Sequence, residues 1–330
     1  MLPIGGGLDL TIPKRWRQGA VLVTAVAMLA YLGISTLYDG GRILAATQRV
    51  GIESIGLVLL LSLVNYALRF WRWQIYSRWN HIEVPFWRSL AIYFSAFAMT
   101  ISPGRAGEAV RSLYLKSEGV SYSASLAMLF GERLTDLLAI GALATLILLA
   151  RSDLEWTIFY LFLACVITLG VFAHPSIPDY LRRWAGRRTG KMAGWADWLA
   201  KLFDSVRPLL HWRRLAPLFV LSVVAWSAEG YGLFVFTHAL GASVTVSVAL
   251  GIYSLAILAG AAAFFMPGGL GGTEAVLVAM LVSSGMDVAE AVAATLLIRL
   301  ATLWFAVLIG AAAMIGYEIA WPARGEESLS

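Results

Sequence analysis

Charged residues stand inside long apolar runs of this sequence. Glu132, Arg133 and Asp136 lie within 123–149, Glu229 within 215–240, and Arg299 within 288–319. Glu132 and Asp136, at i and i+4, share one face of a helix, with Arg133 beside it. If these runs are immersed in lipid, each arginine at mid-depth costs roughly 2.5–3.5 kcal/mol, so it needs a partner or a water-filled cavity. A helical rise puts Arg133 ~15 Å into its run and Arg299 ~17 Å into its own, near the middle of a ~30 Å hydrocarbon core. Glu108 and Glu274 each follow a Pro-Gly break and open a short helix, whose N-terminal dipole favours a carboxylate. Two kinds of chemistry follow. Glu108 and Glu274 can pair with Arg133 and Arg299 as a lattice that holds the segments. The same Gly-rich turns expose N–H groups, and the arginines offer bidentate forks, which together suit an anion such as phosphate.

Other chemistries lack their residues. The run Gly268-Gly269-Leu270-Gly271-Gly272 has no Lys-Ser/Thr after it, so it is no nucleotide loop. His81, His174, His211 and His238 fall near run ends, with no triad or zinc spacing. Cys165 stands alone in an apolar run and reads as packing. No catalytic residue, metal or cofactor is expected, and no nucleic-acid partner. Arg69 and Arg72, within Arg69-Phe70-Trp71-Arg72-Trp73, read as a snorkelling interfacial cluster or, alternatively, as a group that greets headgroups at the inner mouth.

The elements that must position these groups are membrane spans. Hydrophobic residues make up 59% of the 330 and charged ones 14%, against the roughly 25% charged of a soluble domain. Mean hydropathy is +0.76. Such a chain cannot cover itself with polar side chains, so lipid is its main solvent. With about 20 apolar residues per span, six spans are expected: 20–37, 54–75, 123–149, 154–173, 215–240 and 288–319. The first follows Lys14, Arg15 and Arg17 and reads as a signal anchor rather than a cleaved leader.

The chain repeats itself. Glu108-Ala109-Val110 recurs as Glu274-Ala275-Val276, Gly119 as Gly285, and Arg133-Leu134 as Arg299-Leu300, all at one shared offset. Pro103-Gly104-x-x-Gly107 recurs as Pro267-Gly268-x-x-Gly271, beside Gly269, at a slightly shorter offset that a small loop insertion explains. A Pro-Gly break frees backbone groups that lipid cannot satisfy, so each is expected at the tip of a re-entrant hairpin. Three spans separate the tips, an odd number, so the second copy is inverted, as in many secondary transporters. The run 244–266 is also long enough to cross in full. The fold class is thus an all-α polytopic integral membrane protein, with six spans and two re-entrant Pro-Gly hairpins as an inverted repeat.

Basic residues orient it. With the N-terminus inside, the cytoplasmic segments hold Lys14, Arg15, Arg17, Arg78, Arg88 and nine Lys/Arg in 174–214. The outer segments hold Arg42, Arg49 and Arg151, in keeping with the positive-inside rule. Met192, Trp195, Leu199, Leu202 and Val206 step by 3 and 4, which predicts a helix lying in the cytoplasmic interface. The organisation is a cytoplasmic leader (1–18), a first membrane repeat (19–173), a basic loop (174–214), a second repeat (215–320) and a cytoplasmic tail (321–330).

As a set, Ser102-Pro103-Gly104-Arg105-Ala106-Gly107-Glu108-Ala109-Val110-Arg111, Glu132-Arg133-Leu134-x-Asp136 and Pro267-Gly268-Gly269-Leu270-Gly271 with Glu274 closely resemble the lysylphosphatidylglycerol synthase transmembrane (flippase-like) family. Arg69-x-x-Arg72-Trp73 and Arg299 with Trp304 fit too. The likeness covers about residues 15–320. It implies a membrane unit that flips lipids, without the soluble synthase domain of the family's bifunctional members. Stand-alone members include some linked to hopanoid biosynthesis and glycolipid assembly. By analogy the site comprises Arg105, Glu108, Arg111, Glu132, Arg133 and Asp136 in the first copy and Glu274 and Arg299 in the second. Burial of Glu229 adds it to the set. The expectation is a lipid flippase of the bacterial cytoplasmic membrane, moving a polar-headed or isoprenoid-type lipid without its own ATPase, and not an enzyme. Its partners are membrane lipids and lipid-biosynthesis enzymes. The alternatives are a scaffold or accessory subunit of a lipid, hopanoid or glycolipid biosynthesis complex, or a membrane glycosyl or aminoacyl transferase.

Overall fold

The structure is a computed structural model. It describes residues 40–100, 107–149, 174–187, 191–262 and 269–321, with isolated positions at 33, 156, 159–160, 163, 167 and 170–172. The expected spans 20–37 and, for the most part, 154–173 lie outside the described residues, as do Pro103, Gly104, Arg105, Pro267 and Gly268.

Every regular element among the described residues is helical. A short α1 (Gly40–Arg49) precedes the long α2 (Ile52–Trp79). Next come α3 (Phe86–Ser95), extended by a tight turn Ala96–Met99, then α4 (Gly107–Ser117) and α5 (Tyr122–Ala144), extended by Thr145–Leu149. A polar pair, α6 (Ser176–Gly186) and α7 (Lys191–Val206), leads to a second series. That series is α8 (Trp212–Ala239), α9 (Val246–Ala262), α10 (Gly272–Ser283), α11 (Val288–Arg299) and α12 (Phe305–Ala320). A π-helical turn, Leu300–Trp304, joins the last two without a break. Among the described residues, three helices are long and apolar enough to cross a membrane: Ile52–Trp79, Trp212–Ala239 and Val288–Ala320. They turn large apolar side chains outward, including Leu60 and Trp71 on α2, Val220 on α8, and Leu308 and Ile319 on α12. In water that surface would be unfavourable; in lipid it is the expected exterior.

The duplication is written into the backbone. After α2, the N–H groups of Asn80, His81 and Ile82 donate to the carbonyls of Tyr76, Arg78 and Ser77. After α8, those of Leu240, Gly241 and Ala242 donate to Phe236, His238 and Thr237, position for position the same pattern. Both turns need a left-handed residue, His81 at φ 53° and Gly241 at φ 83°. After α4 and α10 the same closure recurs. Val120 N–H reaches Leu115 and Met286 N–H reaches Leu281, around Gly119 (φ 85°) and Gly285 (φ 95°). Ser121 and Asp287 then cap α5 and α11 through their side chains. So α2–α5 corresponds to α8–α12, and the match begins upstream of the Pro-Gly motifs, at a shorter offset than theirs.

The two series pack reciprocally. Helix α2 lies along α8; α5 contacts α9 while α12 contacts α3. This exchange of roles marks a pseudo-two-fold arrangement. Close approaches secure it: a Cβ on Gly251 of α9 would lie 2.6 Å from the Ile147 nitrogen, and one on Gly310 of α12 would collide with Phe97 and Ala98. Small residues at such contacts let helix backbones meet, which drives association where the hydrophobic effect is absent.

The continuous helix from Val288 to Ala320 has 33 residues and so spans about 50 Å. At its start, Asp287 and Glu290 pair with Arg42 and Arg49 of α1, at 3.3 and 2.5 Å. At its far end, Glu318 accepts from Tyr114, and Tyr317 donates to Glu118, which also pairs with Arg88 at 3.2 Å. The turn after α4 and its equivalent after α10 therefore sit at opposite ends of one helix.

The polar segment holds two helices where the sequence pattern shows one. Arg182 of α6 pairs with Asp204 of α7, and α7 packs on α5, with Ala196, Ala200 and Phe203 buried and the Phe203 ring stacked on Phe172. Of the face expected in the interface, Val206 is buried, whereas Met192 and Trp195 are 61% and 66% exposed. Ala200 and Phe203 hide the docking stripe because the larger Trp and Met residues dominate the pattern.

Candidate functional site

Between the two series lies a cavity of about 160 Å³. The first series lines it with Tyr66 and Arg69 (α2), Tyr93 and Phe97 (α3 and its extension), Arg111 (α4), and Glu132 and Arg133 (α5). The second contributes Trp226 and Glu229 (α8), Tyr253 and Gly260 (α9), Thr273 (α10), and Arg299 and Thr302. The wall is aromatic, with four guanidinium groups set into it.

The ion pairs form three knots. Asp136 is the centre of the first. Its Oδ1 accepts from Arg72 at 2.6 Å and from Trp226 Nε1 at 2.9 Å; its Oδ2 lies 3.5 Å from Arg133 and 3.9 Å from Arg69. Arg72 also donates to Ser222. In the second knot Arg111 meets Glu132 at 2.7 Å, its guanidinium stacked 4.3 Å from the Trp73 ring and 5.5 Å from Tyr93. In the third, Arg299 Nε donates to Glu274 Oε1 at 2.6 Å, while Glu274 Oε2 accepts the Gly271 N–H at 2.6 Å. That carboxylate caps α10 and holds Arg299 at once. A fourth acid, Glu229, accepts a 2.7 Å bond from the Tyr253 hydroxyl.

Desolvation makes such knots costly, and removing one partner leaves an uncompensated charge. Five arginines (69, 72, 111, 133 and 299) meet four carboxylates (132, 136, 229 and 274) among the described side chains. Arg69 Nε, Arg72 Nε and Nη2 and Glu132 Oε1 are buried without a hydrogen-bond partner among the described residues. Among the described side chains the site therefore has donors in reserve and a positive balance, which suits an anionic group. Among the described residues, no cluster of three His, Cys, Asp or Glu side chains is placed to hold a metal.

The sequence-predicted residues fare differently. Arg111, Glu132, Arg133, Asp136, Glu229, Glu274 and Arg299 converge on this one region. The expected Glu274–Arg299 bond is present. Arg133 bonds to Asp136; the Glu108 side chain lies outside the described residues, as does Arg105. Gly107 opens α4, and Gly269 and Gly271 adopt left-handed φ of 67° and 88°. A Cβ on Gly269 would come within 2.8 Å of the Gly260 carbonyl, so this turn is folded tightly against the end of α9.

Arg69 and Arg72 require a correction. They are not an exposed, snorkelling cluster: Arg72 is 1% exposed and bound to Asp136, and Arg69 lines the cavity, its guanidinium 5.3 Å from the Trp226 ring. Helix α2 continues to Trp79, so both arginines stand well inside it, on the side facing α5 and α8. Sequence reasoning also missed Tyr66, Tyr93, Trp226 and Tyr253, which read as belt or core aromatics. A signal for them exists: Tyr93 and Tyr253 are separated by the same offset as the turns that follow α2 and α8, and so are Arg69 and Glu229.

The pattern of the family described as the lysylphosphatidylglycerol synthase TM region matches residues 18–310. The chain belongs to this family. It is 25% identical over 299 residues to a UPF0104 membrane protein of Pyrococcus horikoshii, covering 82% of this chain and 88% of that one. A UPF0104 membrane protein of Methanothermobacter thermautotrophicus is 23% identical over 325 residues, with 90% and 95% covered. A shorter likeness, 26% over 148 residues, joins it to glycosyltransferase AglD of Haloferax volcanii, covering 44% of this chain and 24% of that protein. As a member of this family the chain is a multi-pass membrane protein.

Proposed function

We propose that this protein moves a polar-headed membrane lipid, phospholipid or isoprenoid-type, between leaflets without an ATPase of its own. The observation that carries the reading is the arginine-rich cavity at the seam of two copies whose equivalent turns lie at opposite ends of one helix. A phosphate crossing hydrocarbon needs donors at mid-depth, while its acyl tails remain in lipid. In this reading the spans are the six expected from the sequence, and the two copies are inverted. Segments α3–α4 and α9–α10 are re-entrant. Their described helices, 10 residues plus a 4-residue turn and 11 in one, 17 and 12 in the other, each fall short of the ~20 needed to cross. The membrane is the bacterial cytoplasmic membrane, with both termini inside.

Purified protein in liposomes tests this. Headgroup-labelled phosphatidylglycerol should exchange between leaflets faster than in protein-free vesicles, and Arg111→Ala should slow it by about tenfold or more, the equivalent of ~1.4 kcal/mol. Equal rates with and without protein across a broad lipid panel would sink the proposal. The partial likeness to a protein named as a glycosyltransferase favours a second reading, an accessory subunit of glycolipid assembly. Co-purification with a glycolipid enzyme that survives replacement of all the buried arginines would select it.

A further inference from the structure

Among the described residues four acids stand at the seam, three buried and Glu274 partly buried, and one differs from the rest. Asp136, Glu132 and Glu274 each lie 2.6–2.7 Å from a guanidinium nitrogen. Glu229 has no ion pair among the described residues. Its one hydrogen bond comes from Tyr253, to Oε2, and it lines the cavity although only 5% exposed. The groups that face it are Tyr66 and Arg69 on α2, Asp136 on α5, Tyr253 on α9 and Arg299 on α11. Of these, Arg299 is held by Glu274 and Asp136 by Arg72. An ionised carboxylate so placed lacks the compensation that its three neighbours have. Taking up a proton removes that cost. The duplication makes the contrast sharper: Glu229 and Arg69 occupy equivalent positions in the two copies, with opposite charge.

Resting on the lipid-transport reading, we infer that Glu229 is a proton-binding site that couples movement of an anionic lipid to a proton gradient, the two travelling together. The step is a proton transfer only. Water on one side gives a proton to the carboxylate, and the neutral carboxyl returns it to water on the other side. Among the described side chains, five arginines face four carboxylates with Glu229 ionised and three with it neutral. Protonation thus strengthens attraction for an anionic headgroup, and loss of the proton weakens it. Tyr253 holds one oxygen and leaves the other to the cavity, where a proton arrives with the ligand.

The test uses the full chain in phosphatidylcholine vesicles containing acyl-chain-labelled phosphatidylglycerol, with a gradient of one pH unit imposed. One proton per monoanionic lipid drives the probe toward the alkaline leaflet, to a ratio approaching about tenfold. Glu229→Gln should give an even distribution, and Glu229→Asp should restore part of the asymmetry. If the wild type exchanges the probe faster than protein-free vesicles yet distributes it evenly, the coupling is refuted and transport stands. An unchanged asymmetry in Glu229→Gln refutes it equally. If no exchange occurs with phosphatidylglycerol or with any anionic lipid of the panel, the transport reading fails, and infrared titration of the protein in detergent judges the proton site alone. A carboxylic-acid carbonyl band that grows on acidification and is missing in Glu229→Gln supports the site; a wild-type spectrum without that band overturns it.

Discussion

The two copies share a backbone plan and hold it with different materials. In the first, α2, α3 and α4 meet through rings: Tyr66, Phe70, Trp73, Tyr76, Tyr93 and Phe97 form one buried cluster, with Arg111 stacked on Trp73. In the second, α9 and α11 meet their neighbours through Ala249, Gly251, Ala256, Ala291, Ala293 and Ala294. Aromatic packing leaves irregular gaps that arginines can fill. Close packing of small residues leaves fewer, and among the described residues the charges this copy brings to the cavity and its ion pairs are Glu229, Glu274 and Arg299. The first copy thus supplies most of the positive field, and the second a shaped wall with isolated polar groups. Identical turns tolerate both solutions because the turn bonds are backbone bonds, indifferent to side chains.

The sharpest way to break this contrast is in the first copy. Arg72→Ala strips Asp136 of its closest cation, and a loss of about 3–5 kcal/mol is expected, seen as earlier thermal unfolding in detergent and reduced lipid exchange. In the second copy the matching injury is steric. Gly251→Val drives two methyls against Ile147, and a loss of roughly 1–3 kcal/mol is expected; the same measurement with an unchanged melting temperature would show that the alanine seam is loose. A smaller effect compares the equivalent turns: His81→Gly should stabilise by up to about 1 kcal/mol, and Gly241→Ala should destabilise by a similar amount, since only the former relieves a left-handed L-residue. The least effect belongs to Arg42→Ala, whose pair with Asp287 is exposed and is worth at most about 1 kcal/mol.

Much of this is legible in the sequence, for physical reasons that can be named. Gly119 and Gly285 betray the duplication because a left-handed turn tolerates few other residues. Glu274 and Arg299 are predicted partners because a carboxylate at a helix start and a mid-depth arginine each need the other. Hydropathy misplaces Arg69 and Arg72 because it cannot judge how far α2 reaches beyond its apolar run when arginines and tryptophans mark both interfaces and cores. The early half of the repeat escapes notice for a related reason. Some of its equivalent residues, Arg69 with Glu229 and Trp73 with Leu233, differ in chemistry, while the identities it keeps, such as Val64 with Val224 and Ile92 with Ile252, are common apolar residues; Ser62 with Ser222 and Tyr93 with Tyr253 are the more telling matches. Helix α6 stays hidden because a polar amphipathic helix beside a basic loop resembles the loop.

The account rests on the two copies facing opposite sides of the bilayer. With Cys165 replaced by alanine, Ser117→Cys and Ser283→Cys place single thiols at the equivalent ends of α4 and α10. In sealed vesicles of one orientation, a membrane-impermeant maleimide added outside should label one of them, and label the other only after the vesicles are opened. If both react from the same side, the copies are parallel, and the cavity between them has no second mouth through which a lipid could leave.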